Sequence, residues 1–431
     1  MTIDTINSLG SDAVRTDPRD PARSVSAGFI VGYGIAYVGL FTALMTPVAI
    51  TMAIRISAID TVGKGASLGT ILGIGALFAL IANPLFGQIS DITTSRFGRR
   101  RPWLFLGTLI GLACALVIAA SDSLFIIGLA WCISQIAYNA ALAAIVAVVP
   151  DRVPECQRGK ISAISGMGVY LAILIGSAIL SLVGPQGVGM FLWPALIGFL
   201  AVNLFAFFLN DKVINRSQAR RGSLLTELGS AFWVNPRKAP DFAWAWFSRF
   251  LLFLGVAVLL TYQVYYLTDH LKVEQDRIGQ LMFFSTLVTA VCVVLSSSAS
   301  GWLSDRWKRR KIFVFAAAVV YAIGLAVITA ASAVPLFLVG IAVSSLGLGV
   351  YMAVDQALVV DVLPDRETNA GKNMGVLNIA NAVPQSIAPA VAPLILSIGS
   401  PTASNYPLLF AVAAACAFLG ALAIAPVKGV R

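Results

Sequence analysis

Two ionisable side chains stand inside long apolar runs, and their pairing is the first chemistry the sequence offers. Asp355 lies in the run 335–363, nine residues before Pro364, and Arg249 lies in the run 242–268, eight residues into it. At the 1.5 Å rise of a helix these positions are roughly 13 Å and 12 Å from the same end of their runs. A carboxylate that deep in hydrocarbon costs about 2.5 kcal/mol or more, so it is kept for a task or held by a partner. The matched depths fit an Arg249–Asp355 ion pair, opened when the carboxylate takes a proton or when a solute hydroxyl competes for the guanidinium. A permanent structural pair, or an Arg249 that snorkels to the near interface, is the plainer alternative.

Amides and phenols occupy these two apolar runs and others: Gln135 and Asn139; Tyr262, Gln263, Tyr265 and Tyr266; Gln356; Asn378, Asn381 and Gln385. Such groups suit the hydroxyls of a neutral solute, although their commoner use in membranes is to join helices. Gln135, Asn139, Tyr262, Gln263, Tyr266, Gln356, Asn378 and Asn381 are the candidate solute contacts. His270, the one histidine, sits at the end of its run and reads as interfacial rather than as a proton relay. Cys114, Cys132, Cys292 and Cys416 lie in apolar runs and Cys156 in a polar loop, with neither a disulfide framework nor metal-ligand spacing. The expectation is of no metal, no cofactor and no enzymatic activity.

The elements that must position these groups are membrane helices. Hydrophobic residues make up 58% of the chain and charged residues 12%, and the mean hydropathy is +0.86, far from a water-soluble domain of this length. Twelve runs long enough to cross a bilayer as helix follow in order: 28–54, 68–86, 102–120, 124–149, 161–183, 190–209, 242–268, 278–300, 312–331, 335–363, 373–397 and 407–426. The expected fold class is an all-α membrane protein, with twelve transmembrane helices in two pseudo-symmetric six-helix bundles. Its bounds are a disordered cytoplasmic tail 1–27, a first bundle 28–209, a cytoplasmic linker 210–241, a second bundle 242–426 and a C-terminus 427–431. The tail, with Asp4, Asp12, Asp17 and Asp20 ahead of the first run, lacks the shape of a signal peptide. Within the linker, 224–232 reads as an amphipathic helix on the membrane surface or as plain flexible chain.

The formal net charge of +10 has a topological explanation. Of the 30 Lys and Arg, 25 fall in the tail, alternate loops and the C-terminus, whereas Arg55, Lys64, Lys272 and Arg277 fall in the opposite loops. That asymmetry is the positive-inside pattern, so it argues against a nucleic-acid partner and for a multi-pass chain in the cytoplasmic (inner) membrane with both termini cytoplasmic.

The densest basic patch, 87–101, joins the second and third runs. A shift of 214 positions carries Gly87, Ser90 and Asp91 onto Gly301, Ser304 and Asp305, and Pro150-Asp151-Arg152 onto Pro364-Asp365-Arg366. Two matches at one offset indicate an internal duplication of about half the chain. Asp91 and Asp305 end their helices, at the partially negative terminus, where a carboxylate needs a partner. Adjacent arginines, or the N-terminus of a helix from the other half, supply one, and such a contact biases which face is closed. The expected conformational gate is Gly87, Asp91, Arg96, Gly98, Arg99 and Arg100 with Gly301, Asp305 and Arg306.

The repeated Gly-x-x-Ser-Asp with basic residues, in two six-span halves joined by a basic linker, resembles the major facilitator superfamily over essentially the whole chain. The first copy, Gly87-x-x-x-Asp91-x-x-x-x-Arg96-x-Gly98-Arg99-Arg100-Arg101-Pro102-Trp103, is similar to the longer form in sucrose–proton symporters and in the glycoside–pentoside–hexuronide cation symporters. The resemblance implies a secondary active transporter that moves a sugar or glycoside-like solute by alternating access in symport with a proton. Its implied partners are a small-molecule substrate, protons and the lipid bilayer. Sodium-coupled members carry acids on the second span, where this chain has none before Asp91. Sucrose symporters carry an acid on the fourth span; here Gln135-Ile-Ala-Tyr-Asn139 puts an amide in its place, which leaves Asp355 as the proton-coupling candidate. A proton-driven exporter of drugs or small metabolites is the alternative, its fifth-span Gly-Pro signature being present only as Gly184-Pro185 at the outer end. A non-transporting membrane sensor is a second.

Overall fold

The computed structural model describes residues 24–211, 213, 239–307, 309–361, 370–399 and 404–427. The tail before residue 24, the stretch 224–232, Pro364-Asp365-Arg366 and the chain after 427 lie outside the described residues, as do the side chains of Asp305 and Asp361. Twelve of the described helices are long and apolar enough to cross a bilayer. The first six are α1 (Ala27–Ile59), α2 (Lys64–Ile92), α3 (Arg101–Ala120), α4 (Leu124–Arg152), α5 (Glu155–Val183) and α6 (Gly189–Phe208). The second six are α7 (Pro240–His270), α8 (Gln275–Trp307), α9 (Arg310–Thr329), α10 (Val334–Asp361), α11 (Ala370–Leu396) and α12 (Tyr406–Ala423).

Several helices outrun their apolar stretches, because satisfying the backbone by helix is favoured for as long as the chain is near hydrocarbon. Thus α2 begins at Lys64 and continues through Asp91, and α7 takes in Pro240 and Asp241. Helix starts are capped locally. Ser26 Oγ accepts from the Phe29 N–H at 3.2 Å ahead of α1, and Asn405 Oδ1 from the Leu408 N–H at 3.0 Å ahead of α12. Ahead of α2, Asp60 accepts from the Ser67 hydroxyl and the Gly63 N–H, both at 2.6 Å. These bonds, the Ser67 hydroxyl above all, hold the Asp60 carboxyl below the usual carboxylate range. Pro47 removes an N–H inside α1, and the helix passes it with a π turn, Pro47–Thr51. A second π turn, Tyr266–His270, closes α7.

The internal duplication is visible in the packing. In the first half α1 packs on α5 and α6, α3 on α4 and α6, and α2 on α4. In the second half α7 packs on α11 and α12, α9 on α10 and α12, and α8 on α10, the same set displaced by one bundle. The bundles meet through α2 against α11 and α5 against α8, two contacts related by the same exchange.

Small residues make that meeting close. A Cβ on Gly69 would lie 2.2 Å from the Pro389 carbonyl oxygen, and one on Gly73 would lie 3.1 Å from that of Ser386. Rising numbers on α2 meet falling numbers on α11, so the helices run antiparallel. These contacts sit towards the start of α2, away from the arginines that follow its end. At the same end Gly279 of α8 rests on the α5 backbone at Leu180 and Ser181.

Candidate functional site

Arg249 and Asp355 meet. Arg249 Nη1 lies 3.1 Å from Asp355 Oδ2, and the two residues are 6% and 1% exposed. Arg249 Nε donates to Asn381 Oδ1 of α11 at 2.8 Å, and Nη1 and Nη2 approach Gln356 Oε1 at 3.4 and 3.5 Å. The ring of Phe253, one turn along α7, lies 5.8 Å from the guanidinium carbon. Arg249, Asp355, Gln356 and Asn381, all singled out from the sequence, therefore gather from α7, α10 and α11 around one guanidinium. Two of its acceptors are neutral amides and one is charged, so the cluster is neutral overall while Asp355 is ionised. Neither Asp355 oxygen makes an aligned hydrogen bond, and the carboxylate is held chiefly by charge. Removing one member of such a buried pair costs about 3–5 kcal/mol, because the other is left uncompensated. Gln356 and Asn378 are exposed and Asn381 is half-buried, so the cluster has an open side with Asp355 beneath it.

In the first half, Asn83 of α2 donates to Asn139 Oδ1 at 3.3 Å. Asn139 in turn donates to the Gln135 backbone carbonyl at 2.8 Å and to its side-chain oxygen at 3.3 Å. Extending the antiparallel register of Gly69 on Pro389 and Gly73 on Ser386 places Asn83 level with the turn of α11 that carries Asn378. The amides of the two halves thus lie at one depth.

The phenols go elsewhere. Tyr262 Oη reaches the carbonyl oxygens of Gly65 and Pro389, each at 3.2 Å. The Pro389 carbonyl is free because Pro393, four residues on, has no N–H to occupy it. Tyr265 Oη donates to the Ala53 carbonyl of the first half at 2.9 Å. Tyr266 Oη bonds instead within its own half, to the carbonyls of Ile328 and, at 3.0 Å, Ala331, and its ring packs on Phe337, Phe410 and His270. Gln263 is buried beside them in sequence. Lys64 Nζ of α2 pairs with Asp269 Oδ1 of α7 at 2.7 Å and lies 5.1 Å from the centre of the Tyr265 ring. Tyr406 Oη donates to the second Asp269 oxygen at 3.0 Å. Together with the glycine contacts, these bonds close the two halves at the end away from the arginines.

The arginine patch is built into the first half. Arg100, 2% exposed, joins Ser90 and Asp91 through its Nη atoms and Asp151 Oδ2 through Nε at 3.1 Å. Arg99 holds the other Asp151 oxygen. Asp211 Oδ2 accepts the backbone N–H groups of Arg100 at 2.6 Å and Arg101 at 3.0 Å, and so caps α3. Gly98 has φ +103°, and a Cβ there would meet an Asp211 oxygen at 2.3 Å, so both backbone and space require glycine. Arg101 Nη2 donates to the Phe207 carbonyl at 3.0 Å, at the end of α6, and Lys311 Nζ does the equivalent after α12, to Ala425 and Val427 at 2.6 and 2.7 Å. Of the two partners expected for Asp91, this conformation uses the adjacent arginines. Arg96 lies exposed over the Phe97 ring and Arg306 over that of Trp302, while Gly87 and Gly301 border open space.

Asp151, Asp211, Lys64 and Asp269 complete these networks without having been singled out as functional. The repeat of Pro150-Asp151-Arg152 was a signal for the first. Lys64 and Asp269 lie in loops or span ends on the same predicted face, which permits a pair without specifying one. Nothing local marks Asp211, which caps a helix 110 positions earlier in the chain.

A sequence profile of the family described as MFS/sugar transport protein matches residues 32–406. An uncharacterized MFS-type transporter, C18.02 of Schizosaccharomyces pombe, is 27% identical over 153 residues, covering 34% of this chain and 33% of that one. An uncharacterized symporter of Synechocystis sp., sll1374, is 47% identical over 49 residues, 11% of this chain and 9% of that one. The matched segments thus span a third or less of these curated relatives. Among solved structures, the nucleoside transporter NupG aligns with TM-score 0.71 at 15% identity over 92% of this chain and 98% of its own. A D-xylose–proton symporter aligns with TM-score 0.71 at 14% identity over 94% and 99%. At those identities the likeness shows the fold. The profile match from one bundle through to the other shows the family: the chain is a multi-pass membrane protein belonging to the MFS/sugar transport protein family.

Proposed function

We propose that the protein carries a small hydroxylated solute, a sugar or glycoside, across the cytoplasmic membrane together with a proton, by alternating access. The observation that carries this reading is the buried Arg249–Asp355 pair at 3.1 Å, with Gln356 and Asn381 on the same guanidinium. The descriptions of two fold relatives, a D-xylose–proton symporter and a nucleoside transporter, support it, since both solutes are rich in hydroxyls.

With Asp355 ionised, the guanidinium is neutralised and occupied. A proton on Asp355 removes the attraction between the two charges and releases Arg249 to donate to solute oxygens, beside the amides of Gln356 and Asn381. Proton and solute then favour the same state, and each raises the affinity for the other. Loss of the proton restores the pair and expels the solute. Gln135 and Asn139, at matching depth, form the facing wall, and Asn378 lines the open side. Tyr262 acts in this conformation as a tie between the halves.

The positive-inside rule turns the arginine patch to the cytoplasm. The conformation closed at the opposite end is then inward-open, with both termini inside. The open space at Gly87 and Gly301 is room for the other bundle to dock when the arginine end closes. Proteoliposome uptake of a panel of labelled sugars and nucleosides, with and without an inward proton gradient, tests this reading. Gradient-driven accumulation of a hydroxylated solute is expected. No such movement by folded protein, together with efflux of hydrophobic dyes from inverted vesicles, would replace import with export.

A further inference from the structure

We propose that Tyr351 is a positioning residue for Asp355, its hydroxyl donating to the carboxylate when Asp355 is ionised and turning to Ser248 when Asp355 is protonated. This rests on the reading of Asp355 as the proton carrier. The Tyr351 side chain is wholly buried, and its hydroxyl makes no formed hydrogen bond. A buried phenol in that condition is unusual, because an O–H inside a protein nearly always finds an acceptor.

Two acceptors are within reach. Tyr351 stands four residues before Asp355 on α10, one turn away on the same face, and its hydroxyl approaches both the Asp355 carboxyl and the Ser248 hydroxyl. Both Asp355 oxygens are themselves without an aligned hydrogen bond. Ser248 precedes Arg249 on α7 and spends its own proton on the Gly420 carbonyl at 2.7 Å, so towards Tyr351 it offers only lone pairs. One donor proton therefore faces two acceptors whose relative strength depends on the charge of Asp355.

An ionised carboxylate takes a shorter and stronger hydrogen bond than a neutral hydroxyl does, so the phenol goes to Asp355 in that state. Once Asp355 holds a proton, the advantage is lost and Ser248 Oγ competes. Tyr351 keeps its own proton throughout; the transported proton binds and leaves at Asp355 alone. The other groups around α10 leave this choice to Arg249. Besides Arg249 and Ser248 from α7, α9 brings Tyr321 and, near the arginine end, Arg310, which donates to the Ala357 carbonyl at 3.2 Å. α8 carries Asp276, Arg277 and Arg306 at its two ends.

The test is the pH profile of gradient-driven uptake in Y351F and S248A, with D355N as control. Y351F removes the donor that favours the ionised form, so half-maximal uptake moves to higher pH, by about half to one unit. S248A removes the competing acceptor, so the midpoint moves to lower pH. A merely structural role would scale uptake equally at every pH and leave both midpoints in place. If Y351F fails to accumulate in the membrane, S248A reads the same exchange with opposite sign. Unchanged midpoints, with coupling lost in D355N, overturn the role of Tyr351 alone. Gradient-driven accumulation that survives in D355N overturns the carrier reading and this proposal with it.

Discussion

The tie between Lys64 and Asp269 holds the molecule in the conformation described, so breaking it shifts the balance between conformations. The pair joins α2 to α7 at 2.7 Å, and its side chains are only 19% and 27% exposed. Exposed ion pairs contribute up to about 1 kcal/mol, and hydrogen bonds to charged groups about 1.5–3 kcal/mol. This partly buried pair, braced by the Tyr406 hydroxyl at 3.0 Å, falls between. Asp269→Asn keeps the shape and removes the charge, for a loss of about 1–2 kcal/mol, and such a loss changes a two-state ratio roughly five- to thirtyfold. Only the conformation closed at this end contains the bond, so the ratio moves towards the one open there. Ala53, 1% exposed behind Tyr265, reports that opening. In a background where the five native cysteines are replaced, Ala53→Cys is expected to react with a membrane-impermeant thiol reagent faster by that factor when Asp269→Asn is added. Exchanging the charges, Lys64→Asp with Asp269→Lys, restores slow labelling. Equal labelling with and without Asp269→Asn, or a charge exchange no slower than the single variant, refutes the tie.

Other expectations follow from the same contacts. Gly69→Val places side-chain atoms where even a Cβ sits 2.2 Å from the Pro389 carbonyl; overpacking of about 1–3 kcal/mol keeps the end open, and the Ala53→Cys probe labels rapidly while uptake is lost. Tyr262→Phe removes the hydroxyl that reaches from α7 to the Gly65 carbonyl of the first half at 3.2 Å, costing about 1 kcal/mol and raising the same labelling several-fold. Asp211→Ala uncaps α3 and strips Gly98 of its neighbour; a loss of about 1 kcal/mol lowers the thermal midpoint of the detergent-solubilised protein. The cap at Asp60 depends on pH: because its carboxyl is held below the ordinary range, its stabilisation is complete at neutral pH and fades as acid protonates it. The protection factor of the Ser67 amide, which donates to the Gly63 carbonyl at 2.9 Å, is expected to fall in acid after the slower intrinsic exchange is divided out, and Asp60→Asn to reduce that pH dependence.

Much of the scaffold is written in periodicity and charge. Runs of apolar length, an arginine excess on alternate loops and the repeat at 214 positions are local or regular signals, and hydrocarbon leaves the backbone little choice but helix. The depth of Arg249 and Asp355 could be counted along their helices, which is why that pair was legible. Asn381 and Gln356 were legible as residue types in apolar runs, and the packing of α7 on α11 brings Asn381 to Arg249. Tyr262 and Tyr266 show where type ceases to inform. A phenol serves a solute or a backbone carbonyl equally well, and the Pro389 carbonyl that Tyr262 finds is open only because Pro393 stands one turn further along α11, a helix far from Tyr262 in sequence. Asp211 and Asp269 act across more than a hundred positions of chain, so only the fold reveals their partners.

The most direct measurement is accumulation of labelled solute in proteoliposomes against its own gradient, driven by an inward proton gradient, in wild type and Asp355→Asn, alongside solute exchange at equal pH on both sides. With Asp355 as the proton carrier, wild type accumulates, whereas Asp355→Asn loses accumulation and keeps exchange, because an uncharged residue beside Arg249 stands in for the protonated state. Accumulation by Asp355→Asn at the wild-type level would contradict the coupling role assigned to the Arg249–Asp355 pair.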